Sequence, residues 1–154
     1  MSEQFESFEE IHRVAETTVG VRLFTVSVLA DTGTGMGMAR VYTSHPAVYP
    51  VGGMKTFAGD TSPIWLEQVI DRQQPFLGPD RGAVRTFFFD YETIESLGCG
   101  AIVNVPVVSN GSTIGSMNFL DSEGKYDQNS VDAAREVAQR STKVLENALA
   151  KLPK

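Results

Sequence analysis

The sequence has little of what disulfide-bonded, metal-binding or membrane proteins need. Its 154 residues include one cysteine, Cys99, which excludes an internal disulfide and a cysteine-based zinc cage. It has only two histidines, and neither stands in a cluster of carboxylates, so neither a metal nor a cofactor is predicted. No stretch approaches the roughly 20 apolar residues that a transmembrane helix requires.

Basic residues are also few relative to acidic ones. The chain has 13 Lys and Arg against 19 Asp and Glu, with a formal net charge of −6. A protein that binds nucleic acid or an anionic membrane surface needs a basic face, so neither is predicted as a partner. The acidic N-terminus lacks the basic and apolar segments of a signal peptide, which predicts a cytoplasmic protein.

The chain does contain enough apolar sequence for one core. Hydrophobic residues make up 42% and charged residues 21%, as in ordinary globular proteins, and the length predicts a single domain over 1–154. Periodicity and end signals predict two antiparallel hairpins with a helix at each end of the chain. The predicted elements are a helix over 5–19, strands over 22–30 and 38–44, a helix from 62, a surface turn at 78–82, a short helix capped by Asp90, strands over 101–109 and 112–120, and one long helix over 131–152 capped by Ser130.

The second hairpin carries the clearest local signal. Asn110-Gly111 between two β-rich runs predicts a type I′ turn. With those two residues as the loop, Asn104 pairs with Met117 and both side chains share one face. A mid-strand amide must find hydrogen-bond partners, which a ligand or an ordered water would supply. Because proline cannot donate to the ladder, Pro106 predicts an edge or a bulge.

Polar side chains gather where the first hairpin ends, in "YTSHPAVYPVGG" at 42–53. Strand alternation places Arg40 and Tyr42 on one half-buried face. A buried arginine needs a partner there, which is either Asp90 or an anionic ligand. His45 and Tyr49 either line a pocket with polar groups or shape an ordered loop.

The order of elements, and above all "LGCGAIVNVPVVSNGSTIGSMNFLDSEGKYD", resembles the GAF domain family over roughly residues 5–150. The resemblance implies an α+β fold: an antiparallel sheet with the N- and C-terminal helices on one face and a ligand pocket under loops and short helices on the other. Members of the family bind many different small molecules, so the resemblance predicts a fold and not a ligand.

The stretch "DYETIESLGCGAIVNVPVV" is locally similar to the bilin-binding members. That match implies that Asp90, Thr93, Asn104 and Pro106 face the pocket. No bilin is predicted, because the chromophore-attaching cysteine is missing and the pocket segment is too short. Lys55 and Arg85 flank the expected cavity and are interpreted as solvated surface residues. The predicted ligand-binding set is Arg40, Tyr42, His45, Tyr49, Asp90, Thr93, Asn104 and Met117.

This set predicts a sensor or regulatory module that binds a small polar or anionic metabolite. The alternative is an enzyme that uses the same pocket, with His45 or Asp90 as general base and a tyrosine, Tyr42 foremost, as acid. One branch of the family reduces free methionine-(R)-sulfoxide through cysteines, and here Cys99 would have to act without a second thiol.

A further alternative is a dimeric interaction module. Phe5, Phe8 and the apolar stripe over 131–152 offer surface for pairing between two chains, as the terminal helices do in the family. A homodimer through these helices is therefore predicted.

Overall fold

The computed structural model describes residues 3–152 and shows an antiparallel sheet between two layers of helices. Its strands are β1 (Leu23–Asp31), β2 (Met36–Thr43), β3 (Met54–Thr56), β4 (Phe76–Gly78), β5 (Ala101–Ser109) and β6 (Ser112–Asp121). Its helices are α1 (Phe8–Thr18), α2 (Phe57–Asp60), α3 (Pro63–Trp65), α4 (Arg81–Phe87), α5 (Tyr91–Ser96), α6 (Gln128–Gln139) and α7 (Thr142–Ala150), with a π-helical turn over Leu66–Asp71 after α3. The strand order β3-β2-β1-β6-β5-β4 puts the two predicted hairpins side by side.

The terminal helices α1, α6 and α7 cover one face of the sheet. Phe24, Val103 and Phe119 point into this layer and are buried against the helices. Phe5, Val131 and most of the predicted apolar stripe are buried in this layer, within one chain. The longest described helix has 12 residues, and within residues 3–152 no helix is long and apolar enough to cross a bilayer.

The C-terminal helical segment differs from the prediction of one long helix. It is divided into α6 and α7, with Ser141 buried at the break and its hydroxyl donating to the Val137 carbonyl at 2.6 Å. The N-cap of α6 is Asp127, and Ser130 completes a reciprocal capping box with it. Ser130 is therefore a capping partner inside the helix, and the predicted cap position was wrong by three residues.

The short elements on the other face were predicted less well. The expected turn at 78–82 instead ends β4 and begins α4, where the Asp80 carboxylate accepts from the Ala83 N–H at 2.9 Å. Asp90 occupies the predicted N-cap position of α5, but its side chain makes no capping hydrogen bond, so the prediction is confirmed in position only. Its φ of −95° and ψ of 26° differ from the extended conformation of an N-cap, and its carboxylate bonds other groups.

A β-bulge in the first hairpin reverses its strand alternation. Tyr42 pairs with Val26, but Arg40 pairs with Ser27, which leaves Val41 as the extra residue on β2. Arg40 and Tyr42 consequently lie on opposite faces of the sheet. The prediction that they share a face was wrong, because one inserted residue exchanges the faces of everything beyond it.

A second bulge reverses the side-chain alternation of the second hairpin. Asn110 and Gly111 both have positive φ, 52° and 80°, which confirms the predicted turn. The register then shifts between Val107 and Val108, next to Pro106, where an edge or a bulge was predicted. Asn104 therefore pairs with Asn118 instead of Met117, and Met117 points into the layer under the terminal helices.

Candidate ligand-binding site

A cavity of about 90 Å³ lies on the sheet face opposite the terminal helices. Strands β1, β2, β5 and β6 form its floor, and the segments over 49–65 and 87–94 form its walls and rim. Its polar lining includes Thr25, Ser27, Arg40, Tyr49, Lys55, Asp90, Asn104 and Asn118, and its apolar lining includes Leu23, Trp65, Phe88, Ile94, Ile102 and Leu120.

A chain of hydrogen bonds fixes the polar floor. The Trp65 indole N–H donates to Oδ1 of Asn104 at 3.0 Å, and Nδ2 of Asn104 donates to Oδ1 of Asn118 at 2.7 Å. Nδ2 of Asn118 in turn donates to the Thr25 hydroxyl at 3.1 Å. Because the indole can only donate, it determines the orientation of both amides. Asn104, only 2% exposed, is thus satisfied by protein groups and does not depend on a ligand for its partners.

The rim is held by a carboxylate that joins three segments. The Tyr49 hydroxyl donates to Oδ2 of Asp90 at 2.5 Å, and Nζ of Lys55 lies 3.3 Å from Oδ1. Burial raises the pKa of Asp90, but the charge of Lys55 and the hydrogen bond from Tyr49 outweigh it, so the pKa lies below its ordinary value. Burial, followed by the hydrogen bond to Asp90, raises the pKa of Tyr49. At neutral pH Asp90 is therefore a carboxylate and Tyr49 a neutral donor.

Arg40 is the second cation at the rim, and it does not form the ion pair with Asp90 that the sequence left open. Asp90 is paired with Lys55, and Nη1 of Arg40 instead donates to the Pro50 carbonyl at 3.0 Å. The guanidinium lies 4.9 Å from the Tyr49 ring centroid, within range for a cation–π contact. Burial lowers the pKa of Arg40, while Tyr49 and Asp90 act in the opposite direction. An arginine still remains charged at any physiological pH.

Among known proteins, the chain is similar to solved structures only. No family model matches the sequence, and no curated protein matches it. A GAF/HD domain protein from Geobacter sulfurreducens superposes with a TM-score of 0.70 at 11% identity, over 94% of this chain and 93% of that one. The GAF domain of a two-component sensor histidine kinase from Bacillus halodurans gives 0.66 at 13% identity, over 94% and 97%. The chain has the GAF fold. The resemblance that the sequence predicted is therefore confirmed at the level of fold.

A third solved structure is relevant to the methionine sulfoxide reductase alternative. Free methionine-R-sulfoxide reductase from Neisseria meningitidis, solved in complex with its substrate, superposes with a TM-score of 0.58 at 13% identity, over 92% of this chain and 81% of that one. In the present chain Cys99 is 1% exposed and does not line the cavity. Burial, and then the nearby Asp121, raise the pKa of its thiol to about 11. The arrangement disfavours a nucleophilic role, which needs an accessible thiolate.

Cys99 labelling tests this conclusion. At pH 8 the folded protein is expected to react with iodoacetamide at least about 100-fold more slowly than the urea-unfolded chain. A pKa of about 11 in place of the usual ~8.5 lowers the thiolate fraction on the order of 100-fold, and burial blocks the reagent. Since the chain has one thiol, intact mass counts the adduct directly. Labelling of the folded protein at the unfolded rate would contradict a buried thiol.

The cavity of the GAF fold brings together four of the eight predicted site residues, namely Arg40, Tyr49, Asp90 and Asn104. Thr93 lies on α5 without lining the cavity, and its carbonyl accepts from the Ser96 hydroxyl. Its neighbour Ile94 does line the cavity, and adjacent residues of a helix point in different directions.

Tyr42, His45 and Met117 are not at the cavity, and their predicted placement was wrong. Tyr42 is on the opposite face, where its hydroxyl bonds Nδ1 of His12 at 2.8 Å. His45 follows the end of β2 and bonds the Ser44 hydroxyl at 2.7 Å. Met117 is buried under the terminal helices. The two bulges account for Tyr42 and Met117, and the proposed acid–base set of His45, Asp90 and Tyr42 is not assembled.

Several cavity residues were not identified from the sequence. Lys55 was interpreted as a surface residue, but the short edge strand β3 turns it toward Asp90. The register without a bulge would place Asn118 on the other face, and Trp65 was not among the predicted site residues. Within residues 3–152, no cluster of three or more histidine, cysteine, aspartate or glutamate side chains is placed to hold a metal ion.

Proposed function

We propose that this GAF domain binds a small polar or anionic metabolite and acts as a sensor or regulatory module. The observation that carries the proposal is Arg40, half-buried beside a cavity and, among residues 3–152, without a salt-bridge partner. Burying a cation is unfavourable unless it is paired, and a ligand oxyanion or carbonyl would supply that pairing. The same fold in a sensor histidine kinase supports a regulatory role.

The division of the cavity into polar and apolar parts supports a metabolite as the ligand. Arg40, Tyr49 and Lys55 converge at the rim, while Trp65 and Ile94 belong to the apolar wall. Small-molecule sites typically combine an apolar lining with a few placed polar groups. A volume of about 90 Å³ is well below the roughly 300–1,000 Å³ of drug-sized sites, which favours a ligand of few heavy atoms.

The alternatives have less support. The acid–base set is divided between two faces, and Cys99 is a buried thiol. The predicted homodimer remains a prediction. Phe5, Val131 and Leu145 are buried within one chain, so a dimer contact through the terminal helices would have to use less buried residues such as Phe8 and Leu149. The cytoplasmic location likewise stays a prediction.

A thermal-shift screen of the purified protein tests the proposal. The library contains nitrate, small carboxylates, nucleotides and free methionine sulfoxide. A ligand at 100 times its Kd adds about 2.7 kcal/mol to stability, which raises the Tm by roughly 5–11 °C for a chain of this size. The Arg40→Ala variant is expected to bind the same compound at least about tenfold more weakly, since it loses a charge-assisted contact.

Arg85→Ala is the matched control. Arg85 forms a bidentate pair with Glu95 on the surface, at 2.9 and 2.8 Å, and does not line the cavity. It should leave ligand affinity unchanged. An affinity that Arg40→Ala leaves intact, or that both variants reduce equally, would show that the binding site lies elsewhere.

A further inference from the structure

We infer that Asp90 is a specificity-determining residue of this cavity, which restricts the ligand to a single negative charge and so favours a small monocarboxylate over a dianion. The inference rests on the proposed function, because it concerns the ligand of the same cavity. Four features carry it: the pairing of the charges, the fixed position of Arg40, the size of the space and the apolar wall.

The charges at the cavity leave one cation available. Four charged side chains border it, and two of these, Lys55 and Asp90, are paired at 3.3 Å. Asp60 is exposed, and its carboxylate accepts from the Thr56 N–H and hydroxyl at 3.0 and 3.1 Å, so it faces its own helix turn and solvent. Of the described residues at the cavity, Arg40 is thus the cation whose charge is not matched, and it matches one negative charge on a ligand.

Arg40 is held in position before any ligand binds. Nη1 donates to Pro50, and the guanidinium lies over the Tyr49 ring. A Cβ atom at Gly53 would lie 2.5 Å from Nη1, so a larger residue there would move the guanidinium out of this position. One of the five guanidinium N–H groups is used by Pro50. The other edge of the fork has the geometry to take both oxygens of a carboxylate.

A second negative charge on the ligand would be repelled by the Asp90 carboxylate. Tyr49 touches both groups, since its ring lies under Arg40 and its hydroxyl donates to Asp90, so the two charges belong to one wall. In a cavity of about 90 Å³ a dianion cannot avoid that wall. The neighbouring cation, Lys55, is already bound by Asp90. Like charges at close range in a partly buried site disfavour ionisation, and such repulsion is a common source of specificity.

The apolar wall complements a short hydrocarbon chain. Trp65, Ile94 and Leu120 are buried and line the cavity away from the rim charges. Inorganic anions would match the charge of Arg40 but would leave this surface uncovered. A carboxylate with a few methylene groups would satisfy Arg40 at one end and the apolar wall at the other.

Fluorescence of Trp65 gives a direct readout, because Trp65 lines the cavity and is the only tryptophan of the chain. We would titrate the full-length protein at pH 7.5 and constant ionic strength with butyrate, succinate and butyramide, which have equal chain lengths and one, two and no charges. Butyrate is expected to bind at least tenfold more tightly than either of the others. In Asp90→Asn, which leaves both cations unopposed, the butyrate-to-succinate affinity ratio should fall at least tenfold.

Two variants control this experiment. Glu92→Gln removes a carboxylate from the same helix α5 at an exposed position outside the cavity, and it should leave the ratio unchanged. Lys55→Met removes a positive charge from the cavity rim, whereas Asp90→Asn removes a negative one. It leaves the Asp90 carboxylate uncompensated, so butyrate should bind at least tenfold more weakly. The Lys55 variant also tests the inference if Asp90→Asn fails to fold.

The outcomes separate the inference from the proposed function. If butyrate binds and Asp90→Asn leaves the ratio unchanged, the role of Asp90 is wrong while the binding function stands. If no monocarboxylate binds but another compound of the screen binds through Arg40, the monocarboxylate class is wrong and the function again stands. If no compound binds, both are wrong.

Discussion

Replacing Trp65 with alanine is expected to lower the free energy of unfolding by about 3–5 kcal/mol, the range for truncating a buried large aromatic side chain. The indole is 3% exposed and packs with Val69, Ile94 and Leu120 in the core beneath the cavity. Its N–H also holds Asn104 at 3.0 Å, so the truncation leaves an amide oxygen without its donor. Urea denaturation followed by far-UV circular dichroism measures the change without relying on the lost fluorophore.

Trp65→Phe separates the two contributions. Phenylalanine keeps an aromatic ring in the core but removes the N–H together with part of the indole, so a loss of about 1–3 kcal/mol is expected from the unsatisfied buried acceptor, in addition to the cost of the smaller ring. Ile64→Ala is the neighbouring control, because Ile64 is 65% exposed and its truncation should change stability by less than about 0.5 kcal/mol. Equal effects of Ile64→Ala and Trp65→Ala would contradict the assigned burial of the indole.

Much of the fold was predictable because local signals and packing agree. Ser62 caps α3 and Pro63 occupies its first turn, as their residue types predict. The turn at Asn110-Gly111 has the two positive φ angles that this dipeptide favours. The capping hydrogen bond expected from Asp90 is absent for the converse reason. Its residue type favours a helix cap, but Tyr49 and Lys55, distant in sequence, provide competing partners that only the tertiary structure brings near.

Half of the predicted site residues line the cavity, and the two bulges explain two of the four that do not, Tyr42 and Met117. Alternation has a period of two residues, so a single insertion at Val41 or at Ile114 moves all later side chains to the other face. Arg40 was placed on the cavity side correctly, whereas Tyr42, beyond Val41, was not. No local composition marks Val41 as an extra residue. In the second hairpin, Pro106 indicated a bulge nearby, but it did not indicate which strand would carry the extra residue.

Gly115 follows the second bulge and gives the remaining large prediction. It pairs with Val107 on one side and Val28 on the other, at the centre of the sheet. A Cβ atom there would be driven against the Ser27 carbonyl oxygen and would lie 2.8 Å from Cδ2 of Leu145. Because a backbone oxygen cannot rotate away as a flexible side chain can, Gly115→Ala is expected to cost about 1–3 kcal/mol, towards the upper end.

Comparison with Gly82→Ala makes this test specific. Gly82 lies in the exposed first turn of α4, where a Cβ meets only the Asp80 carboxylate at 3.4 Å. There the same substitution should stabilise the protein by up to about 1 kcal/mol, because alanine is the better helix former. If both substitutions change stability by the same amount, the close approach at Gly115 is wrong.

A double variant then shows whether a side chain at Gly115 is opposed by Leu145 or by the Ser27 carbonyl. Leu145→Ala alone should cost about 2–5 kcal/mol, since it removes a fully buried side chain of α7. In Gly115→Ala/Leu145→Ala the added methyl enters space that the leucine has left, so the combined loss should be smaller than the sum of the two single losses by more than about 0.5 kcal/mol. If the two single losses of stability simply add, the clash of the methyl group is with the Ser27 carbonyl alone. Since Ser27 pairs with Arg40 and lines the cavity, the glycine would then position the cavity floor and not the helix behind it.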